Sequence, residues 1–272
     1  MTAPRTATTP ESRFRAAYAE HRAREGRAHD RADLTTLPYL RSGPLAKQWA
    51  VKAKTFEAFV RHVLRPALTT SGRSLSILDL GAGNAWLCRR AALAGCRAIA
   101  VDVRTDDVDG LGAASSIARD PGASFDRIAA SFDRLPLREG EVDIVVFNAS
   151  LHYALDLRRV LCEAARATRA GGCIVILDSP FYASEAAGRA MVAEKHEGLR
   201  RRAGAQANDL LSLPFIEYLT RDRLREASHP IGLDWRRHRV RYPLWYELRP
   251  VVARLRRARM PSRFDLWEAR VP

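Results

Sequence analysis

The chain has 272 residues, of which 47% are hydrophobic and 28% are charged. A chain of this length and composition can bury a sizeable core, which argues against a disordered protein. No apolar run approaches the roughly 18 residues of a membrane-spanning helix, and residues 1–31 lack the apolar stretch of a secretory signal. We therefore predict a cytoplasmic protein with no membrane partner.

The net charge is +14, and all but four of the 45 cationic side chains are arginine. The basic excess is concentrated after Thr220 and includes a cluster at Arg254, Arg256, Arg257 and Arg259. Such a region could bind nucleic acid, but no zinc finger or aromatic platform for single strands accompanies it. A solvated surface, or one that attracts an acidic small molecule, is the simpler interpretation.

The cysteines show no metal-ligand spacing, and they lie at positions 88, 96, 162 and 173. The sequence therefore predicts reduced thiols and no metal site. Upstream, residues 45–65 carry Trp49, Phe56 and Phe59 at helical spacing, which predicts an amphipathic helix that Pro66 stops.

From Leu75 onward, short apolar strands alternate with helices. The predicted strands are 76–80, 96–103, 125–130, 142–148 and 173–178, with helices at 85–94 and 155–168, a turn at 169–172 and two late strands near 231–242 and 263–271. Nearly continuous apolar strands separated by helices indicate a parallel sheet that is covered on both faces. The predicted fold class is α/β, a doubly wound and mostly parallel seven-stranded Rossmann-like sheet with N-terminal helices and a helical insertion.

The strongest local signal is the turn DLGAGNAW (79–86) after the first of these strands. Glycines let the backbone approach a ligand closely, and Asp102, which ends the second strand, is placed to accept the hydroxyls of a ribose. A dinucleotide site needs a small residue where Trp86 stands, and Asp79 suits an ammonium group better than a pyrophosphate. The pattern therefore favours a ligand with a cation at one end and a ribose at the other, as in S-adenosylmethionine.

The blocks ILDLGAG, AVDV, LPL, VDIVVFNASLHY and RAGG follow one another along the chain. In this order they resemble the class I S-adenosylmethionine-dependent methyltransferases of the broad small-molecule type, over about residues 45–180. The resemblance implies S-adenosylmethionine as the cofactor. Together with the composition along the chain, it predicts a polar N-terminal arm (1–44), a cofactor-binding core (45–181), a helical lid or substrate-binding insertion (182–229) and basic C-terminal strands that complete the sheet (230–272).

The resemblance further implies a set of cofactor contacts. It places Gly81, Ala82, Gly83 and Asn148 beside the methionine part, Asp79 at its amino group, Asp102 at the ribose hydroxyls, and Val103, Ser131 and Phe132 at the adenine. The family often has an acid where Ser131 stands, and Asp133 is a nearby substitute. Upstream, Tyr39, Trp49 and Lys52 stand where related enzymes close the cofactor site, and a cation there could pair with the methionine carboxylate. A core tryptophan and a solvated lysine are the simpler explanation of Trp49 and Lys52.

Methyl transfer from a sulfonium depends mainly on positioning, because the leaving group is good. His152 in FNASLHY is the predicted catalytic base for an acceptor that must lose a proton; a packing role within the loop is the alternative. Tyr153, Asp178 and Tyr182 are predicted to contact the acceptor.

Three functions fit these features. The first is a methyltransferase that acts on a small molecule such as a secondary metabolite. The alternative is an RNA or DNA methyltransferase that uses the basic C-terminal region, although the fourth strand ends in FNAS and lacks the Asn/Asp-Pro-Pro-aromatic element that grips a flipped adenine. The third is a cofactor-binding protein without catalysis. Neither the acceptor atom nor the oligomeric state follows from the sequence.

Overall fold

A seven-stranded sheet organises the computed structural model, which describes residues 9–204 and 206–272. Its strands are β1 (Ser76–Leu80), β2 (Arg97–Asp102), β3 (Asp126–Ala129), β4 (Val142–Asn148), β5 (Thr168–Leu177), β6 (Trp235–His238) and β7 (Leu266–Arg270). The strand order is β3-β2-β1-β4-β5-β7-β6; β1 to β5 are parallel, and β7 is antiparallel to both of its neighbours. The predicted seven-stranded, mostly parallel sheet is confirmed.

Helices cover both faces of this sheet. They are α1 (Pro10–Arg24), α2 (Arg31–Thr36), α3 (Ala46–Phe59), α4 (Arg65–Ser71), α5 (Trp86–Leu93), α6 (Leu157–Ala167), α7 (Glu185–Ala203), α8 (Gln206–Leu210), α9 (Arg221–Ser228), α10 (Leu244–Glu247) and α11 (Arg249–Leu255). Successive strand residues point to opposite faces, so Ile77 packs with α3 and α5, whereas Leu78 and Leu80 pack with α6. The doubly wound arrangement follows from this two-sided burial.

Pro66 does not end the helical segment, contrary to the prediction. After α3, residues 60–64 form a π-helical turn in which the N–H of Arg65 bonds to the carbonyl of Val60. Pro66 then lies in the first turn of α4, where its missing N–H is not needed.

β5 begins at Thr168, five residues earlier than predicted, so the turn expected at 169–172 lies within the strand. Its pairing with β4 jumps from Val142–Thr168 to Ile144–Cys173, so residues 169–172 bulge out within the strand. The other core strands keep their predicted positions to within one or two residues.

The last third of the chain combines helices with the two late strands. Residues 182–229 contain α7, α8 and α9, joined by an extended stretch that pairs Leu219 with Phe181. β6 and β7 are shorter than the predicted strands, and α10 and α11 lie between them. No helix in the described ranges is both long enough and apolar enough to cross a membrane.

β1 and β4 are neighbours in the sheet although β2 and β3 lie between them in the chain. The connections from β1 and β4 therefore leave in opposite directions, which opens a crevice above the carboxyl ends of these strands. The segments after β1, β2 and β4 all meet there.

Candidate active site

The turn after β1 approaches its neighbours so closely that side chains are excluded. Gly81 has φ +73°, and a Cβ there would lie 2.4 Å from the Cβ of Ser150. Gly83 has φ +55°, and a Cβ there would lie 3.0 Å from the carbonyl oxygen of Asp109. Both positions therefore require glycine, and the turn presents its backbone to the crevice.

The crevice contains a cavity of about 350 Å³, the first cavity. Its lining includes every predicted cofactor residue except Asp79: Gly81, Ala82, Gly83, Asp102, Val103, Ser131, Phe132 and Asn148. These side chains come from four separate segments, after β1, β2, β3 and β4. The sheet thus assembles one site from residues that lie up to 67 positions apart in the sequence.

Asp79 is not part of the lining of the first cavity and is fully buried. Among the described residues, neither of its carboxyl oxygens has a hydrogen-bond partner, and the buried amide oxygen of Asn148 has none either. Burial raises the pKa of Asp79 to about 8, and the nearby Asp102 adds to the rise while Lys52 opposes it. These acceptors therefore form a site for a hydrogen-bond donor, best a cationic one.

Asp102 at the end of β2 is held by the loop around it. One carboxylate oxygen accepts from the N–H of Gly83 and the other from the N–H of Arg104, both at 2.8 Å. Burial raises the pKa of Asp102, while these two N–H donors lower it. Each oxygen keeps a lone pair, so the fixed carboxylate can also accept a hydroxyl.

Part of the lining of the first cavity is apolar. Val103, Phe132 and Leu155 belong to it, and Val103 and Leu155 are exposed. Asp133 also lines the cavity, accepts a hydrogen bond from Ser131 and pairs with Arg159 at 3.2 Å. A flat heteroaromatic ring with an exocyclic amino group would match this combination.

Helix α1 covers the first cavity. Its residues Phe14, Tyr18 and Arg22 recur every fourth position and all line the cavity. The hydroxyl of Tyr18 hydrogen-bonds that of Tyr153 at 2.7 Å, and Arg22 pairs with Asp109 at 2.6 Å. The sequence prediction assigned none of these residues of α1 to the site, although the four-residue spacing was visible.

A second cavity of about 450 Å³ adjoins the first. The residues that border both are Tyr18, Arg22, Arg27, Lys52, Ala149 and Tyr153. The predicted residues His152 and Asp178 line the second cavity only, and Tyr153 lies in the shared wall. Two adjacent cavities with a common wall can hold two ligands side by side.

Tyr182 lies outside both linings. Its ring packs edge-on against Tyr218, and its hydroxyl accepts from Arg259 at 3.2 Å. The backbone pairing of Phe181 with Leu219 holds the neighbouring Tyr182 so that its side chain makes these contacts. The structure therefore does not bring Tyr182 to the acceptor site for which it was predicted.

Burial shifts the pKa values of two side chains that line the second cavity. It lowers the pKa of His152 to about 3, and the positive charges of Lys195, Lys52 and Arg22 lower it further. Among the described residues, the Nδ1 of His152 has no hydrogen-bond partner. Burial also lowers the pKa of Lys52, which lies 3.5 Å from the carboxylate of Asp178. His152 is therefore a neutral imidazole at pH 7.

Comparisons with known proteins agree with this geometry. Residues 78–176 match the family model described as a methyltransferase domain. The chain is 32% identical over 122 residues to the demethylmenaquinone methyltransferase of Mycolicibacterium gilvum (strain PYR-GCK), and the match covers 45% of this chain and 49% of that protein. It is 30% identical over 99 residues to the malonyl-[acyl-carrier protein] O-methyltransferase of Yersinia pestis, over 36% of this chain and 34% of that protein. Residues 78–176 are therefore a methyltransferase domain, and the sheet has the fold of the class I S-adenosylmethionine-dependent methyltransferases.

Solved structures show the same fold at low identity. The magnesium protoporphyrin IX methyltransferase of Synechocystis PCC 6803 aligns with a TM-score of 0.56 and 12% identity, over 99% of this chain and 100% of that one. The geranyl diphosphate C-methyltransferase of Streptomyces coelicolor A3(2) aligns with a TM-score of 0.56 and 16% identity over the same shares. The chain spans about half of the first curated relative and a third of the second.

The residues of the methyltransferase domain fit S-adenosylmethionine, the cofactor of this family. The buried, unpaired carboxylate of Asp79 suits the methionine ammonium, and the held carboxylate of Asp102 suits the ribose. The apolar part of the lining, with Asp133, suits adenine. When bound, the cofactor supplies an electrophilic methyl group.

Proposed function

We propose that this methyltransferase transfers a methyl group to a small molecule that binds in the second cavity, while S-adenosylmethionine occupies the first. The observation that carries the proposal is that the two cavities are adjacent and are bordered by the same six residues, because in-line methyl transfer needs the donor and the acceptor side by side. The volume of the second cavity falls within the range of about 300–1,000 Å³ that small-molecule sites occupy.

The names of the relatives support an organic acceptor. They specify demethylmenaquinone, malonyl-[acyl-carrier protein], magnesium protoporphyrin IX and geranyl diphosphate. These acceptors differ so widely that they point to no particular molecule for this chain.

The residues of the chain would act mainly by positioning and by excluding water. Helix α1, held by the Tyr18–Tyr153 and Arg22–Asp109 contacts, covers the reacting groups. His152 remains the proposed base. A base this weak suits an acceptor that loses its proton after methylation, and it is a poor match for an alcohol that must lose its proton before it attacks.

The test uses S-adenosylhomocysteine and then labelled S-adenosylmethionine. We expect calorimetry to show S-adenosylhomocysteine binding that Asp102→Ala weakens by about 1–3 kcal/mol, while Asp126→Asn, at an exposed carboxylate, leaves it unchanged. The complex is then screened against small acceptors for label transfer. Failure of the wild-type protein to bind S-adenosylhomocysteine, or label that enters only nucleic acid, would overturn the proposal.

The nucleic-acid alternative is favoured by one observation. Arg254, Arg256 and Arg257 are exposed, and no ion pair is recorded for them among residues 9–204 and 206–272. Retention on RNA or DNA that falls steeply with salt concentration, together with label transfer to the nucleic acid, would decide for it.

A further inference from the structure

Helices α10 and α11 carry large apolar side chains that the described residues, 9–204 and 206–272, leave exposed. Leu244 and Leu255 are 80% and 81% exposed, and no residue of α11 is buried. Leu248, Val251 and Val252, which lie between them, are also exposed. We refer to these five residues as the apolar stripe. Exposed apolar patches of this kind commonly mark an interaction surface.

The apolar stripe occupies one side of an almost continuous helix. Its members follow one another at intervals of four, three, one and three residues, which is helical spacing. Backbone hydrogen bonds cross the junction between α10 and α11, since Leu248 donates to Leu244 and Val252 donates to Leu248. The two short helices therefore act as one amphipathic segment.

Cations surround the apolar stripe. Between residues 244 and 259 the acidic residue is Glu247, whose carboxylate pairs with Arg263, whereas the segment carries five arginines. Arg254, Arg256 and Arg257 are exposed with no ion pair recorded in the described part of the chain. Apolar side chains on one side and unpaired arginines beside them are the features of helices that lie in the surface of an anionic membrane.

The geometry points to an anionic lipid surface as the partner of the α10–α11 segment. The charge distribution favours this partner over a second copy of the chain, because the segment of a second copy offers the unpaired arginines no free carboxylate: its acidic residue, Glu247, already pairs with Arg263. This proposal departs from the expectation of no membrane partner, which was drawn from the lack of a spanning segment; a helix that lies on a membrane needs no such segment.

Docking would also place the second cavity at the lipid surface. Trp245 and Arg249 belong to α10 and α11 and line the second cavity as well. If the second cavity binds the acceptor, which rests on the proposed function, the acceptor is an amphiphile that enters from the membrane. The docking itself does not depend on that step.

The experiment is flotation of the full chain with lipid vesicles. One set consists of phosphatidylcholine alone, and the other contains about one quarter phosphatidylglycerol. We expect the protein to float with the anionic vesicles. The double variant Leu248→Glu/Val252→Glu and the triple variant Arg254→Gln/Arg256→Gln/Arg257→Gln should each reduce the bound fraction at least about tenfold.

The matched control is Leu93→Glu, because Leu93 on α5 is 50% exposed and Leu248 is 52% exposed. Leu93→Glu should float like the wild type, and every variant should retain its circular dichroism and its binding of S-adenosylhomocysteine. Retained cofactor binding without flotation overturns the docking and leaves the proposed function standing.

Three further results would overturn the proposal. One is flotation that the apolar-stripe variant leaves unchanged. Another is a wild-type dimer in sedimentation that Leu248→Glu/Val252→Glu dissociates, without vesicle binding, which would assign the stripe to a second copy. The third is binding to RNA, but not to vesicles, that the arginine variant removes.

Discussion

Asp79 provides a test of the cofactor site that does not require the acceptor. Its carboxyl group is buried without a hydrogen-bond partner, and burial raises its pKa to about 8. At pH 7 the group is therefore about nine-tenths protonated in the free protein. If the methionine ammonium binds beside it, the carboxyl group must ionise, so binding should release about 0.9 proton.

The same pKa sets the size of the effect on affinity. Ionising Asp79 at pH 7 costs about 1.4 kcal/mol, which is one pKa unit. A hydrogen bond to a charged group contributes about 1.5–3 kcal/mol. The difference predicts that Asp79→Asn weakens binding of S-adenosylhomocysteine by about 1 kcal/mol, or about fivefold, at pH 7.

Asp79 should also make the free protein less stable as the pH rises. Its pKa is about 8 in the folded state and 3.8 as the reference for an unfolded chain, so the folded state binds more protons between about pH 4 and pH 8. Stability is lost across this window, by about 4 kcal/mol at pH 7 as an upper bound. Asp79→Asn should therefore raise the melting temperature at pH 7 while it weakens cofactor binding.

The assay is calorimetry of S-adenosylhomocysteine binding at pH 7 in phosphate and in Tris. The dependence of the observed enthalpy on the buffer's ionisation enthalpy gives the number of protons released. Asp126→Asn, which removes an exposed carboxylate, should release as many protons as the wild type, and Asp79→Asn should release none. Equal proton release by the wild type and Asp79→Asn would refute the placement of the ammonium at Asp79.

Three further predictions concern the turn, the second cavity and the covering helix. Gly81→Ala should weaken cofactor binding by about 1–3 kcal/mol and lower the melting temperature, because its Cβ would overlap Ser150 at a positive φ; unchanged calorimetry would contradict this. In the wild type, the free energy of unfolding should fall by about 2 kcal/mol between pH 6.5 and pH 5, because the lowered pKa of His152 means that the unfolded state binds more protons in that range. His152→Gln should abolish this fall, which chemical denaturation at both pH values measures. Tyr18→Phe removes the hydrogen bond to Tyr153 and should speed dissociation of S-adenosylhomocysteine about fivefold, as measured by stopped flow. An unchanged dissociation rate would mean that this bond does not hold α1 over the cofactor.

The sheet could be predicted because its signal is local. The predicted strand 142–148 contains the continuous apolar run Ile144–Phe147, and the structure places β4 at Val142–Asn148. The cofactor residues were implied by the family resemblance, and the parallel sheet explains why they lie together, because it brings its strand ends to one edge. Pro66 was misread because the sequence does not reveal the π-helical turn that shifts the hydrogen bonds before it.

Helix α1 could not be placed from the sequence because its contacts are long-range. Tyr18 meets Tyr153 across 135 residues, and Arg22 meets Asp109 across 87 residues. Apolar periodicity identifies faces that pack on a core, but a hydroxyl pair and an ion pair also hold this helix over a cavity, and periodicity does not reveal their partners. The four-residue spacing of Tyr18 and Arg22 indicated a shared face without indicating what that face covers.

Lys52 was expected either at the methionine carboxylate or in solvent, and the structure puts it in the wall between the two cavities. Its ammonium lies 3.5 Å from Asp178, and burial lowers its pKa. One ammonium cannot pair fully with Asp178 and with a methionine carboxylate at the same time, so the two carboxylates compete for it.

This competition predicts that Asp178→Asn strengthens S-adenosylhomocysteine binding a few-fold, because Lys52 then pairs with the cofactor alone. In a Lys52→Met background, Asp178→Asn should have no such effect, which a double-mutant cycle by calorimetry would show. Equal effects in both backgrounds would mean that Lys52 does not contact the cofactor. If the cycle shows coupling, an acceptor that binds Asp178 frees Lys52 to pair with the cofactor and so strengthens cofactor binding. The cofactor must then strengthen acceptor binding by the same factor.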